Sequence, residues 1–232
     1  MASTNKHSAW IKMATGILIV LLPIVIVLTS VRILILTAKS WMQIEYNLPG
    51  FPQDRYGFSL EDRLYWASID IEFLLNKDGL EYFNGLRLED GAPMHNEREL
   101  RHMEDVKNLM QVAWKVWGAG FIIVILLILM LRRVGGVSVA LQGLMVSSRG
   151  MIILMVVLAI GVFFTFGVLF VGFHKIFFEG STWIFPYSDT FIRLYPERFW
   201  RDTFVYVVFM TLFEAILIFM VARYLSTRIQ SV

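Results

Sequence analysis

Residues 151–173 have the sequence MIILMVVLAIGVFFTFGVLFVGF, an apolar run without a single charged side chain. A helix needs about 20 such residues to cross a hydrocarbon core of about 30 Å, so this run predicts a transmembrane helix. Three other segments are comparably long and apolar. The four predicted spans cover residues 13–36, 113–131, 151–173 and 203–222. We therefore expect an all-α integral membrane protein with four transmembrane helices.

The composition supports a membrane protein and excludes several kinds of site. Hydrophobic residues make up 57% of the 232 residues and charged residues only 17%, against about 45–50% and about 25% in soluble domains. The net charge of +2 is too balanced to indicate a nucleic-acid partner. The chain has no cysteine, which excludes disulfides, thiolate zinc sites and a cysteine nucleophile.

The charges near the span ends predict an orientation. Segments 1–12, 132–150 and 223–232 contain no acidic residue, and their basic residues are Lys6, Lys12, Arg132, Arg133, Arg149, Arg223 and Arg228. Basic residues near span ends favour the cytoplasmic side. Basic residues also lie near the opposite ends, so their count alone is ambiguous. We predict cytoplasmic termini in a bacterial cytoplasmic membrane, with a first outer loop at 37–112 and a second outer loop at 174–202.

The first outer loop is predicted to fold into a helical extracytoplasmic cap. Ser59 and Asp62 have the spacing of a capping box, and apolar residues at helical intervals follow until residues 77–79. A second helix is predicted to begin at Asn96, with Glu99 in the capping-box position, and to continue into the second span.

Two histidines lie next to the two outer loops. His102 precedes the second span and His174 ends the third, whereas His7 belongs to the cytoplasmic tail and His95 is expected in a solvated loop. Residues three apart face each other on a helix, so Asp105 is expected to hydrogen-bond the His102 ring. The second outer loop also contains more Phe, Trp and Tyr than an interfacial aromatic belt requires.

Several functions fit these residues. Two imidazoles suit proton transfer in acyl transfer, whereas His102, Asp105, His174 and Asp189 are possible ligands for a metal-dependent lipid hydrolase. Glu214 lies inside the fourth span, and an acid at that depth is either functional or a protonated carboxyl bonded to a hydroxyl such as that of Thr165. A transport protein or a non-catalytic sensor therefore also remains open.

Two motifs carry a family resemblance. The segments LRHMEDVK (100–107) and FHKIFF with TWIFPYSDTFIRLYPERFW (173–178 and 182–200) resemble the lipoprotein intramolecular transacylase family of certain Gram-positive bacteria. The resemblance implies movement of the sn-2 acyl chain of a diacylglyceryl-cysteine lipoprotein to the α-amino group of the same cysteine. The product is the lyso-form lipoprotein, and the active site faces outward.

The resemblance places the motif's two histidines at His102 and His174. From the bond changes we favour His102 as base and His174 as acid, over the reverse assignment or an acyl-histidine. No cofactor is expected, and the expected partners are the lipoprotein substrate and membrane lipid, with a monomer favoured. The remaining expectations are an oxyanion contact from Arg193 or Arg101 and a pocket shaped by Asp189 and Trp183.

Overall fold

The computed structural model describes the backbone of residues 2–230 and the side chains of residues 8–229. The side chains of Lys6 and His7 lie outside the described residues. Seven α-helices and one short 3-10 helix follow in order: α1 (Ala2–Leu36), α2 (Ala38–Tyr46), α3 (Leu60–Leu75), the 3-10 helix (Leu80–Phe83), α4 (Glu97–Val134), α5 (Val137–Phe177), α6 (Thr190–Leu194) and α7 (Glu197–Gln230). The described part of the chain contains no strand beyond one isolated bridge between Arg87 and Pro93.

Four helices are long and apolar enough to cross a membrane, which confirms the predicted fold class. They comprise Ser8–Leu36, Glu97–Val134, Val137–Phe177 and Glu197–Ile229. Each is longer than the predicted span, because hydropathy detects the apolar part of a helix and not its polar ends. The predicted loop at 132–150 is consequently helical except at residues 135 and 136, where Gly136 has a φ of +88° that permits the turn.

The first of two compact units contains Met1–Arg32, Ala113–Ile160 and Tyr206–Val232. One apolar cluster in it joins α1 residues such as Leu18 to Val124 and Leu131 of α4. A second cluster joins Met151 and Met155 of α5 to α7. This close packing brings small polar groups together, since Thr211 donates a 2.9 Å hydrogen bond to Ser30.

Glu214 belongs to this first unit. One of its carboxyl oxygens is enclosed and has no hydrogen-bond partner among the described residues. The suggested Glu214–Thr165 bond stays a prediction, since Thr165 belongs to the other unit, where its hydroxyl donates to the Gly161 carbonyl oxygen at 2.9 Å.

The second unit contains Ile33–Val112 and Gly161–Val205. The predicted capping box is confirmed, because the Ser59 side chain accepts from the Asp62 amide and the Asp62 side chain accepts from the Ser59 amide. Helix α3 then packs into this unit through Phe73, which is fully buried. Tyr46 of α2 donates to the carbonyl oxygen of Leu194 at 2.9 Å, which joins α2 to α6.

A buried ionic network stabilises the same unit. The His95 Nε2 atom lies 2.8 Å from an Asp70 carboxylate oxygen, and its Nδ1 lies 3.8 Å from Glu99 Oε2. The Tyr195 hydroxyl donates to the other Asp70 oxygen at 3.0 Å. The prediction that His95 is a solvated loop residue is therefore wrong. The loop before it folds back on itself, with Met94 donating to the Leu86 carbonyl oxygen, and this brings His95 into the interior.

The two carboxylates decide the charge state of His95. Burial alone would lower its pKa, but the ion pair and hydrogen bond with Asp70 and the contact with Glu99 outweigh burial and raise the pKa of His95 to about 10. Protonated His95 therefore stabilises the folded protein in full below the ordinary value of 6.5, and this contribution is lost as the pH rises toward 10.

Replacing His95 by Gln should lower the thermal unfolding midpoint and flatten its dependence on pH. Breaking a buried ion pair leaves uncompensated charge, which costs about 3 kcal/mol near pH 6. The difference from the unmodified protein should shrink as the pH rises from 6.5 to 10. Tryptophan fluorescence of purified protein in detergent measures the unfolding midpoint at each pH.

The matched control is Glu72→Gln, which removes an exposed ion pair with Lys39. Because exposed pairs contribute less than about 1 kcal/mol, its midpoint should stay close to that of the unmodified protein. A His95→Gln difference that stays constant between pH 6.5 and 10 would contradict the assignment of a charged His95.

Candidate active site

The two histidines singled out by the sequence lie together in the second unit. His102 is in the second turn of α4 and His174 is in the last turn of α5. Both are buried, and their ring centroids are 6.1 Å apart with an angle of 27° between the planes. The structure therefore brings together two imidazoles that are 72 positions apart in the chain.

Aromatic rings surround this pair. Around His102 the ring centroids lie at 4.9 Å for Phe178, 5.5 Å for Phe185 and 5.5 Å for Phe191. Around His174 they lie at 4.2 Å for Phe170 and 4.7 Å for Trp183. We call these five rings and the two imidazoles the aromatic cage. Four of the five rings come from the second outer loop, which explains its unusual aromatic content.

The hydrogen bond made by His174 determines which of its nitrogens carries a hydrogen. Nδ1 lies 2.8 Å from the Phe170 carbonyl oxygen, one helical turn earlier. A carbonyl oxygen accepts hydrogen bonds and cannot donate, so Nδ1 is the donor. When the ring is neutral, Nε2 then holds the lone pair and is available to accept a proton.

The expected bond between Asp105 and His102 is not formed. The Asp105 carboxylate accepts from the Thr182 hydroxyl at 3.3 Å, and His102 Nδ1 is enclosed without a hydrogen-bond partner among the described residues. The partner of the carboxylate is instead Thr182, which belongs to the second outer loop. Asp105 thus holds the loop in place and does not orient the imidazole directly.

The two predicted oxyanion residues are placed differently. Arg193 pairs with Asp54 at 3.1 Å, and its guanidinium lies 3.4 Å from the Phe58 ring centroid. Arg101 is exposed on α4. Among the described residues, neither arginine contacts His102 or His174, so the prediction of an oxyanion contact from either has no support in the structure.

The two predicted pocket residues are both near the cage. Trp183 packs against His174, and its Nε1 atom is enclosed without a hydrogen-bond partner among the described residues. Asp189 immediately precedes α6 and pairs with Arg98 at 2.9 Å. Arg98 in turn lies over the Phe185 ring of the cage, at 5.8 Å from its centroid.

The sequence also left open a metal-dependent lipid hydrolase, with His102, Asp105, His174 and Asp189 as the metal ligands. Among residues 8–229, whose side chains are described, no group of three or more His, Asp or Glu side chains is placed to hold a metal ion. Of the four candidate ligands, Asp105 is bonded to Thr182 and Asp189 to Arg98. The described structure therefore does not gather three of these four candidate ligands around one point.

Sequence reasoning missed Glu99 as a residue of this site. The predicted capping box is present, since Glu99 Oε2 accepts from the Asn96 amide at 2.8 Å. The same buried carboxylate also accepts from the Phe191 amide at 2.6 Å. Glu99 thereby fixes a cage ring against the helix that carries His102, a role that the capping-box pattern alone does not indicate.

Comparison with known proteins agrees with the resemblance seen in the motifs. The sequence model of the family described as "Lipoprotein intramolecular transacylase Lit" matches residues 16–200. An uncharacterized protein of Aquifex aeolicus (strain VF5) is 30% identical over 214 residues, which cover 89% of this chain and 92% of that protein.

Solved structures show the same fold. The membrane-integral transacylase Lit from Bacillus cereus superimposes with a TM-score of 0.82 at 19% identity, covering 97% of this chain and all of that one. A variant of that protein with one histidine replaced by alanine gives a TM-score of 0.79 at 18% identity, covering 99% of this chain and all of that one. Because the family model matches most of its length, this chain belongs to the Lit family of lipoprotein intramolecular transacylases and is a multi-pass membrane acyltransferase.

Proposed function

We propose that this protein moves the sn-2 acyl chain of a diacylglyceryl-cysteine lipoprotein to the α-amino group of the same cysteine. The product is the lyso-form lipoprotein, which is N-acylated and retains one O-acyl chain. The observation that carries the proposal is the buried pair of His102 and His174 inside the aromatic cage, with ring centroids 6.1 Å apart. Proton transfer at two atoms is what this reaction requires of its catalyst.

The bond changes define what the two imidazoles do. The α-ammonium loses a proton, and the free amine attacks the ester carbonyl to form a tetrahedral oxyanion. The new C–N bond remains, the C–O bond to the glyceryl group breaks, and the leaving oxygen gains a proton. On becoming an amide, the nitrogen gives up a second proton. It therefore loses two protons and the leaving oxygen gains one, so one proton passes to solvent. Donor and acceptor belong to one substrate, which gives the amine a high effective molarity and requires no cofactor.

His174 is the better candidate for the base. Its Nδ1 donates to the Phe170 carbonyl oxygen, which leaves Nε2 to accept the proton of the attacking nitrogen. His102 then supplies the proton to the leaving glyceryl oxygen. This assignment reverses the preference from the sequence, which relied on an Asp105–His102 bond that the structure does not form.

The charge pattern supports a proposal for where the reaction takes place. Segments 1–12, 132–150 and 223–232 contain basic residues and no acids, which supports cytoplasmic termini. The cage then faces the outer side of the cytoplasmic membrane, where it meets a membrane-anchored lipoprotein among membrane lipids. We propose that a single copy of the chain suffices, because both histidines and all five cage rings come from one chain.

Replacing either His102 or His174 by Ala should lower the rate of lyso-form production by at least about 100-fold, since general acid–base catalysis contributes on that order. The assay incubates purified protein with a synthetic diacylglyceryl lipopeptide and follows the product by fragmentation mass spectrometry. The expected product has unchanged mass, with one acyl chain on nitrogen.

The control for this experiment is His7→Ala, which changes a histidine of the N-terminal tail and should leave the rate unchanged. Unfolding midpoints of all variants show whether they fold. Full activity of both cage variants would contradict the catalytic assignment. Release of one acyl chain as free fatty acid by the unmodified protein would indicate a hydrolase.

The roles of the two imidazoles can be separated with a thioester at the sn-2 position. A thiolate leaves without being protonated, so this substrate makes the acid dispensable but still needs the base. His102→Ala should recover to within about tenfold of the unmodified protein, and His174→Ala should stay inactive. Recovery of His174→Ala alone would show that the assignment is reversed.

A further inference from the structure

The tetrahedral intermediate of the proposed reaction carries a negative oxygen that needs a hydrogen-bond donor. Arg193 does not supply it in this structure, because its guanidinium is paired with Asp54 and packed over Phe58. The cage nevertheless contains a side-chain N–H that is enclosed and has no acceptor among the described residues, which is Nε1 of Trp183.

We propose that the indole N–H of Trp183 donates to the carbonyl oxygen of the sn-2 ester and stabilises the oxyanion formed from it. This inference rests on the proposed function and adds a catalytic residue to it. The indole transfers no proton. It donates one hydrogen bond, which strengthens as charge develops on the oxygen, and the proton transfers remain with the two imidazoles.

The position of Trp183 fits this role. Its ring centroid lies 4.7 Å from that of His174, with an angle of 32° between the planes. Its neighbour Thr182 is anchored to Asp105 of α4, and Gly180, with a φ of +67°, forms the turn that leads the chain to it. The donor is therefore held beside the proposed base, where the attacking nitrogen and the ester carbonyl have to meet.

In having no acceptor, the enclosed indole N–H of Trp183 differs from those of Trp41 and Trp117. Trp41 donates to Thr203 at 3.0 Å, and Trp117 donates to Thr29 at 3.0 Å. An enclosed donor without an acceptor destabilises the folded protein, and an indole nitrogen can act only as a donor. An arriving carbonyl oxygen would satisfy this donor, so the stability lost in the free protein is regained with the substrate.

Trp183→Phe tests the proposal, because it keeps an aromatic ring against His174 and removes the N–H donor together with the second ring of the indole. Removing one oxyanion donor lowers kcat by about 100-fold or more, and we expect that loss with a KM changed by less than about threefold, as for an interaction made in the transition state. The lost ring lowers the unfolding midpoint and the removal of an unsatisfied donor raises it, so the midpoint should fall less than in Trp41→Phe, which loses a satisfied donor.

Trp41→Phe is the matched control with the opposite expectation. It deletes an indole N–H that has an acceptor, Thr203, so the midpoint should fall while kcat stays unchanged. If Trp183→Phe fails to fold, replacing Trp183 by β-(3-benzothienyl)alanine retains the bicyclic shape without the N–H. The same loss of kcat is expected from it.

The outcomes separate this proposal from the proposed function. If the unmodified protein makes the lyso-form and both Trp183 variants keep its kcat, the oxyanion role is overturned and the proposed function stands. If the unmodified protein makes no N-acylated product from the lipopeptide, the proposed function itself fails. A loss of kcat in Arg98→Gln but not in Trp183→Phe would instead assign the oxyanion contact to Arg98, which lies over the cage ring of Phe185.

Discussion

The buried carboxylate of Glu99 joins the parts of the molecule on which the site depends. It caps the start of α4 through the Asn96 amide and holds the Phe191 amide at 2.6 Å. His95 also lies beside this carboxylate, with Nδ1 at 3.8 Å, and is in turn bonded to Asp70. One ionic network therefore attaches the chain segment around Phe191 to the helix turn that presents His102.

Histidine has a structural role at one place in this molecule and a proposed catalytic role at another. His95 lies between two carboxylates and is a structural cation. His102 and His174 lie among aromatic rings, and no carboxylate of the described chain contacts either of them. A base has to be neutral before it can accept a proton, and keeping acids away from the pair serves that requirement. The buried carboxylates of Asp70 and Glu99 thus lie in the network around His95, and neither of them contacts the two imidazoles of the aromatic cage.

Local patterns in the sequence predicted much of this molecule. The four apolar segments predicted the four long helices, and the spacings Ser59–Asp62 and Asn96–Glu99 predicted two capping boxes that the structure confirms. The position of His102 and His174 beside the two outer loops also predicted the residues that form the candidate site. These features depend on hydropathy and on residues a few positions apart.

The errors came from contacts between distant segments. Asp105 bonds to Thr182, 77 positions away, and not to His102 three positions away. Arg193 bonds to Asp54, 139 positions away, and the burial of His95 depends on Asp70. In each case the observed partner comes from another segment of the chain, which the spacing of neighbouring residues does not reveal. The orphaned indole of Trp183 could be found only once the surrounding rings were placed.

A crossover experiment distinguishes transfer within one substrate molecule from transfer between two. Purified protein is given an equal mixture of two diacylglyceryl lipopeptides, one with a heavier peptide and deuterated acyl chains, and the N-acylated products are analysed by mass spectrometry. Intramolecular transfer gives two products, each with its own acyl chain on its own cysteine nitrogen. Crossed products in statistical proportion would show transfer between molecules and would contradict it.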